Sequence, residues 1–401
     1  MSAASSTALG EFVCPSCKTG KMEVFHQVVA VPSNSCILLG SGEEAAAYPH
    51  GEICLGFCPK CGFISNMAFE PRLTEYSGRY EETQGFSPTF NRFHRALAER
   101  LIDRYDLHGK DIIEIGCGKG EFLMLLCELG GNRGVGFDPG VHVDRIEGSA
   151  AERVRFIADF YSEEYAGYQG DFVACKMTLE HIHPTGDFIA TVRAAIGERV
   201  GTNVFFQIPE AMRILSDCAF EDIYYEHCSY FSPGSLARLF RANGFEVMSL
   251  DTEYTGQYLT IEALAVELPV DQEPLAAEDD MAVLSELVRS FPERFEAKRR
   301  VWEERLRRYR KGQGKVVLWG AGSKAVAFLS TLGAETVVSY GVDINPYRQG
   351  HFLPGTGLPI VAPDFLAKYR PDVVIVMNPV YREEIVEALS LMGLDPEILT
   401  L

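Results

Sequence analysis

Residues 111–130, DIIEIGCGKGEFLMLLCELG, change period midway. Among the first five, Ile112, Ile113 and Ile115 are β-branched and apolar, as in a short buried strand. A glycine turn follows, and apolar residues then recur at helical spacing. The same alternation fills residues 76–270. RGVGFDPG, VRFIADF, DFVACKMTLEHI and TNVFFQIP predict further buried strands, while FIATVRAAIGERV and PGSLARLFRANGF predict helices between them. The fold class is α/β, with a doubly wound parallel, Rossmann-like sheet. KVVLWGAGSKAVAFLSTLG, TVVSYGVDINP and PDVVIVMNP repeat the pattern over residues 313–401 as a smaller Rossmann-like domain. The glycine turns of the two domains differ, so they are not read as a repeat. Residues 271–312 between them are charge-laced at helical period and interrupted by Pro292, which predicts a solvated helical connector.

Residues 1–75 carry short β-like runs and two C-x-x-C pairs, Cys14/Cys17 and Cys58/Cys61, each followed closely by glycine. Such a knuckle turns the backbone so that two thiolates point at one ion, and two knuckles complete a tetrahedral four-sulfur shell. The module is therefore expected to bind structural zinc. A closed four-thiolate shell has no open position for chemistry, so the module should serve as scaffold or substrate wall.

Composition narrows the partners. The net charge of −19 argues against a broad nucleic-acid face, though not against a basic pocket for a phosphorylated small molecule. No apolar run reaches membrane-spanning length, and MSAASSTALGEF lacks the basic-then-apolar order of a secretion signal, so a cytoplasmic protein is expected. Eleven cysteines in a long chain of this kind do not read as a disulfide framework.

Two glycine loops can hold ligands. In the first, Glu114 precedes Gly116, Gly118 and Gly120, Asp138 ends the next strand, and Asp159 and Phe160 end the one after. Glycines after a strand let a ligand approach the backbone, and an acid at the second strand end suits ribose hydroxyls. The G-x-G-x-G form resembles motif I of class I S-adenosylmethionine-dependent methyltransferases, and in that family the third acid meets the adenine amino group. The second loop, Gly320-Ala321-Gly322-Ser323-Lys324-Ala325 with Asp343 downstream, also fits a nicotinamide dinucleotide. The domain that carries it lacks a second βαβ half.

Knuckles, methyltransferase core and small C-terminal β/α domain, in that order, resemble the nucleotide-sugar C-methyltransferases of deoxysugar biosynthesis over nearly the whole chain. EIGCGKGEF is similar to the donor loop of that family, and YEHCSYFS to its Y-x-E-H-x-x-Y-F-S element. GAGSKAVAFLS with VDINPYRQGHFLPGTGLPI is similar to its long C-terminal pattern. The resemblance implies carbanion chemistry: a base removes a proton alpha to a ketone, and the enolate attacks the donor methyl. It assigns the base to His227, with Tyr224 in the same element and Glu226 orienting the base or binding a substrate hydroxyl. His181, in LEHIHP, would stand opposite the enolate oxygen. Tyr76 and Tyr80 fall where the family places an active-site lid tyrosine. Lys324 and Asn378 are the candidate substrate contacts of the C-terminal domain, with Arg348 and His351 as further phosphate candidates.

The match fails at one place. The family carries H-G-G-S-x-R on a late strand near the substrate; residues 254–263 here read YTGQYLTIEA. The reaction type is thus better supported than the substrate. Two readings stay open: C-methylation of an activated keto sugar or another enolisable acceptor from a natural-product pathway, and O- or N-methylation of a non-sugar small molecule. A non-catalytic zinc-scaffolded binding module and a dehydrogenase are the remaining alternatives.

Overall fold

A computed structural model of the chain describes residues 12–269 and 271–401. Residues 1–11, in the stretch read for a secretion signal, and Val270, at the expected domain boundary, lie outside them. Three sheets organise the chain. The central one has seven strands in the order Phe245–Glu253, Tyr258–Ala265, Asn203–Pro209, Phe172–Lys176, Asp111–Ile115, Arg133–Phe137 and Val154–Ile157. The winding reverses between Asp111–Ile115 and its other neighbour Phe172–Lys176, so the strand ends at Ile115 and Lys176 open a crevice there.

This sheet differs from the expected all-parallel design in one respect. Tyr258–Ala265 runs antiparallel to both Asn203–Pro209 and Phe245–Glu253. Phe245–Glu253 and Tyr258–Ala265 follow each other through a short turn, and so close a connection joins antiparallel neighbours. Val154–Ile157, expected to be buried, is an edge strand whose side chains are half-buried or exposed.

The C-terminal sheet runs Phe352–Leu353, Leu358–Val361, Val338–Val342, Val316–Trp319, Val373–Val376, Glu397–Thr400 and is parallel except for its first, two-residue edge strand. The N-terminal sheet is Glu23–Pro32, His50–Phe57 and Ile64–Asn66, extended by Ser229–Tyr230 from far along the chain. Ile64 faces Tyr230 and Ser65 faces Ser229. Ser229 and Tyr230, the second and third residues after His227, are therefore a strand of the zinc module.

The expected solvated connector is corrected by the structure. Residues Met281–Gly312 form one 32-residue helix that runs through Pro292. Leu284, Val288, Phe291, Phe295, Trp302 and Leu306 are buried at steps of three, four and seven, and they join the core shared with the N-terminal sheet and the helix Ser323–Leu332. Pro292 lies on the exposed face, where water can satisfy the carbonyl its missing N–H leaves free. Among the described residues, no helix is long and apolar enough to cross a membrane.

Candidate functional site

The first glycine loop is built so that no side chain could replace its glycines. Gly116 has φ +67°, and a β-carbon there would lie 1.9 Å from Thr178 Oγ1; one on Gly118 would lie 2.7 Å from Glu82 Oε1. Asp138 accepts the amides of Gly118 at 3.0 Å and Gly140 at 2.7 Å, which fixes its carboxylate beside the loop. Glu114 is buried with one oxygen unpartnered, and burial pushes its carboxyl up to about 8. Asp159 accepts from the Tyr165 hydroxyl and the Phe160 amide, while the Phe160 ring is 59% exposed and stands edge-on to Tyr76 at 6.3 Å. A close-approach loop, acids at successive strand ends, an orphaned oxygen and an open ring face fit S-adenosylmethionine.

A strap from residue 76 to 85 crosses this crevice. The Tyr76 hydroxyl shares a 2.9 Å hydrogen bond with His181 Nδ1, and the Tyr76 ring also stands edge-on to Tyr80 at 5.2 Å. Tyr76 thus touches both Phe160, beside the glycine-loop crevice, and His181. Glu82 is half-buried over Gly118 with Lys119 at 3.3 Å, and desolvation pushes its carboxyl up to about 7.

Beneath the strap, His181 and His227 meet edge to face at 4.9 Å. His227 is held by its neighbour strand Ser229–Tyr230 and by Tyr224, whose hydroxyl lies 2.7 Å from Nε2. Its Nδ1 is buried with no hydrogen-bond partner among the described residues. Burial, then the nearby His181, holds its protonation well below the ordinary imidazole range. Burial likewise lowers His181 to about 4. Both rings are neutral near pH 7.

Glu226 does not orient His227. Its carboxylate points the other way, accepting from Ser35 Oγ at 2.5 Å and Asn34 Nδ2 at 3.4 Å, with Tyr80 also donating. The orienting part of the expectation is corrected: the acid beside the imidazole is Glu180, with Oε1 4.0 Å from His227 Nε2. Sequence reading missed Glu180 because LEHI drew attention to its histidine. It missed Asn34 and Ser35 because no motif joins them to a residue some 190 positions away.

The remaining candidates lie around this centre. Lys324 pairs with Asp222, two residues before Tyr224, so it forms part of the wall behind that segment. Asn378 does not join the cluster. It exchanges two hydrogen bonds with Gln257, at 3.0 and 3.1 Å, and ties the C-terminal domain to the strand whose sequence departs from the sugar-enzyme pattern. Arg348 is buried across Gly322 and donates to Ala321 O and Glu81 O.

At the far end of the N-terminal sheet, the four knuckle sulfurs lie within 4.8 Å of one another. Cys14 and Cys61 Sγ are 3.6 Å apart and Cys17 and Cys58 Sγ 3.9 Å. Tetrahedral zinc–thiolate bonds require about 3.8 Å. A β-carbon on Gly20 would come within 2.2 Å of Cys58 Sγ, so that glycine clears the shell. These four residues fit a structural zinc ion.

Two family models match the chain: a methyltransferase domain over residues 90–250 and a C-methyltransferase C-terminal domain over residues 267–393. The C-methyltransferase NovU of Streptomyces niveus is 27% identical over 368 residues, covering 87% of this chain and 86% of that protein. Solved structures with similarity include magnesium protoporphyrin IX methyltransferase from Synechocystis PCC 6803 with bound S-adenosylhomocysteine, at TM-score 0.36 and 15% identity over 44% of this chain and 84% of that one. Another is 1,6-didemethyltoxoflavin-N1-methyltransferase of Burkholderia thailandensis, at TM-score 0.33 and 19% identity over 43% and 79%. On the sequence matches and the donor crevice together, the chain is an S-adenosylmethionine-dependent methyltransferase in which a methyltransferase domain is joined to a C-methyltransferase C-terminal domain.

Proposed function

We propose that this enzyme methylates a carbon alpha to a ketone, on a nucleotide-linked keto sugar or a similarly enolisable small molecule of a natural-product pathway, with His227 as the base. One observation carries the reading: a neutral, buried imidazole whose Nδ1 has no partner, beside a second neutral imidazole. With Nε2–H donating to Tyr224 Oη, the free lone pair is on Nδ1. That atom takes the alpha proton, and the C–H electron pair passes into the enolate. His181, fixed by Tyr76, supplies the hydrogen bond to the enolate oxygen. S-adenosylmethionine supplies an electrophilic methyl group on sulfonium. Tyr76 and Tyr80 keep water from the carbanion, and Glu226 braces the segment by holding Ser35 and Asn34. In this division of labour residues 76–270 hold donor and base, and residues 313–401 cover the acceptor.

The relative NovU, a C-methyltransferase by name, supports the C-methylation reading. The test is hydrogen exchange in deuterated water, with S-adenosylhomocysteine bound and a panel of nucleotide-linked keto sugars, followed by NMR. Exchange of the alpha proton is expected, and His227→Asn should lower it on the order of 1,000-fold. Methyl transfer to an acceptor without any alpha exchange would refute carbon as the target and leave O- or N-methylation.

A further inference from the structure

Glu180 has no task in that reading. It lies in the turn after the strand Phe172–Lys176, next to His181, and is 1% exposed. Neither carboxyl oxygen meets a hydrogen-bond partner among the described residues. A buried acid left so is costly, and such orphans collect where a fold keeps a group for chemistry. Its position relative to the base is fixed, because Cys228 N donates to Glu180 O at 2.9 Å.

His227 meanwhile faces a difficulty its own contacts do not resolve. Taking a proton makes an imidazolium where burial, His181 and Lys324 all oppose that charge. Tyr224 brings a dipole but no charge, and Glu226 is turned toward Asn34 and Ser35. The carboxyl within reach is Glu180, 4.0 Å from Nε2.

We propose that Glu180 is the counter-charge of His227: as a carboxylate it holds the imidazolium formed when the base takes the substrate's alpha proton. This rests on the reading of His227 as the base. The bond that breaks is the substrate C–H, its electron pair staying in the enolate; the bond that forms is N–H at His227 Nδ1. Glu180 makes and breaks no bond. It acts through His227 and is a positioning residue.

Burial pushes the Glu180 carboxyl up to about 8, with Lys176 pulling the other way. Lys176 and Cys175 face it from its own strand, and Tyr76 from the strap. Tyr224, His227 and Cys228 face it from the base segment, and Tyr258 from the strand Tyr258–Ala265. The thiols and phenols are all pushed up and stay neutral where Glu180 titrates. Lys176, lowered to about 8 mainly by burial, titrates in the same range, so a variant must separate the two.

Nitrogen-15 NMR of histidine-labelled enzyme, without acceptor, does so. The His227 ring shifts should inflect where Glu180 ionises, far above the ordinary carboxylate range. The inflection should vanish in Glu180→Gln and persist, displaced, in Glu180→Asp. No inflection in the wild type, or one that survives Glu180→Gln as a Lys176 titration would, overturns the proposal. In the deuterium assay, exchange should rise with pH through the same inflection. Glu180→Gln should abolish the rise and lower exchange on the order of 100-fold. A wild-type rate and pH profile in Glu180→Gln overturns the proposal and leaves His227 as base. Exchange untouched by His227→Asn removes the base itself, and the proposal with it. Exchange that requires added divalent metal at constant zinc content also overturns it, since the two groups would then be ligands.

Discussion

At the scale of single residues, the site is a set of ionisable groups folded in their neutral forms. Burial raises Glu82 to about 7 and Glu180 to about 8, against an ordinary 4.5. At these two groups the folded chain therefore holds more protons than the unfolded chain between about pH 4.5 and 8. Their contribution to stability is complete below 4.5 and is lost as pH rises through 7 and then 8. The buried histidines are already neutral in that window, His26 and His181 having been lowered to about 4 chiefly by burial. Unfolded histidines release their protons near 6.5, which opposes this fall below about pH 7, so thermal melts of donor-free protein should fall in midpoint between pH 7 and 8, less steeply in Glu180→Gln; a midpoint rising over that interval would contradict the assignment. The histidines at the centre were legible because a motif surrounds them, as were Tyr76 and Tyr80. Glu180 was not, since a carboxyl earns notice in a sequence only by its neighbours and its orphaned oxygens exist only in the fold. Glu226 was legible as a site residue but not in direction: one peptide unit turns it away from the imidazole.

At the scale of elements, the 32-residue helix is a structural member. Trp302 is buried edge-on to Phe328 at 5.2 Å, and the helix packs on the strand Glu23–Pro32 and the helices Ala211–Ser216 and Ser323–Leu332. Trp302→Ala should cost about 3–5 kcal/mol in denaturant unfolding, against well under 1 kcal/mol for a solvated connector. The buried stripe was present in the sequence at helical spacing, but the dense charge on the other face hid it. The central strands were legible because both faces are apolar. The direction of Tyr258–Ala265 was not, because it is set by a turn in which two non-glycine residues, Tyr254 and Thr255, take positive φ ahead of Gly256.

At the scale of the whole molecule, Glu81 holds the strap shut. Its carboxylate accepts from Arg145 at 2.8 Å and from Asn345 at 3.0 Å, and its carbonyl accepts from Arg348. One buried side chain joins strap, central domain and C-terminal domain. Glu81→Ala should destabilise the protein on the order of 3 kcal/mol and raise the KM of donor and acceptor together, as steady-state kinetics would read. An unchanged KM for both would show that the strap closes without this contact. The order of the three domains was plain in the sequence; the contacts that seal them were not, because each joins loops without motifs.

The two-residue strand Ser229–Tyr230 has a consequence for protein engineering. Zinc knuckles at the start of the chain invite their use as an exchangeable cassette. Yet the sheet they belong to takes its last strand from residues that follow His227, with Ser65 Oγ and Asn66 N both bonded to Cys228 O. A chimaera cut after residue 75 would graft a foreign edge onto the loop that carries His227. The portable unit is discontinuous, and transplanting it means transplanting the His227 segment along with it.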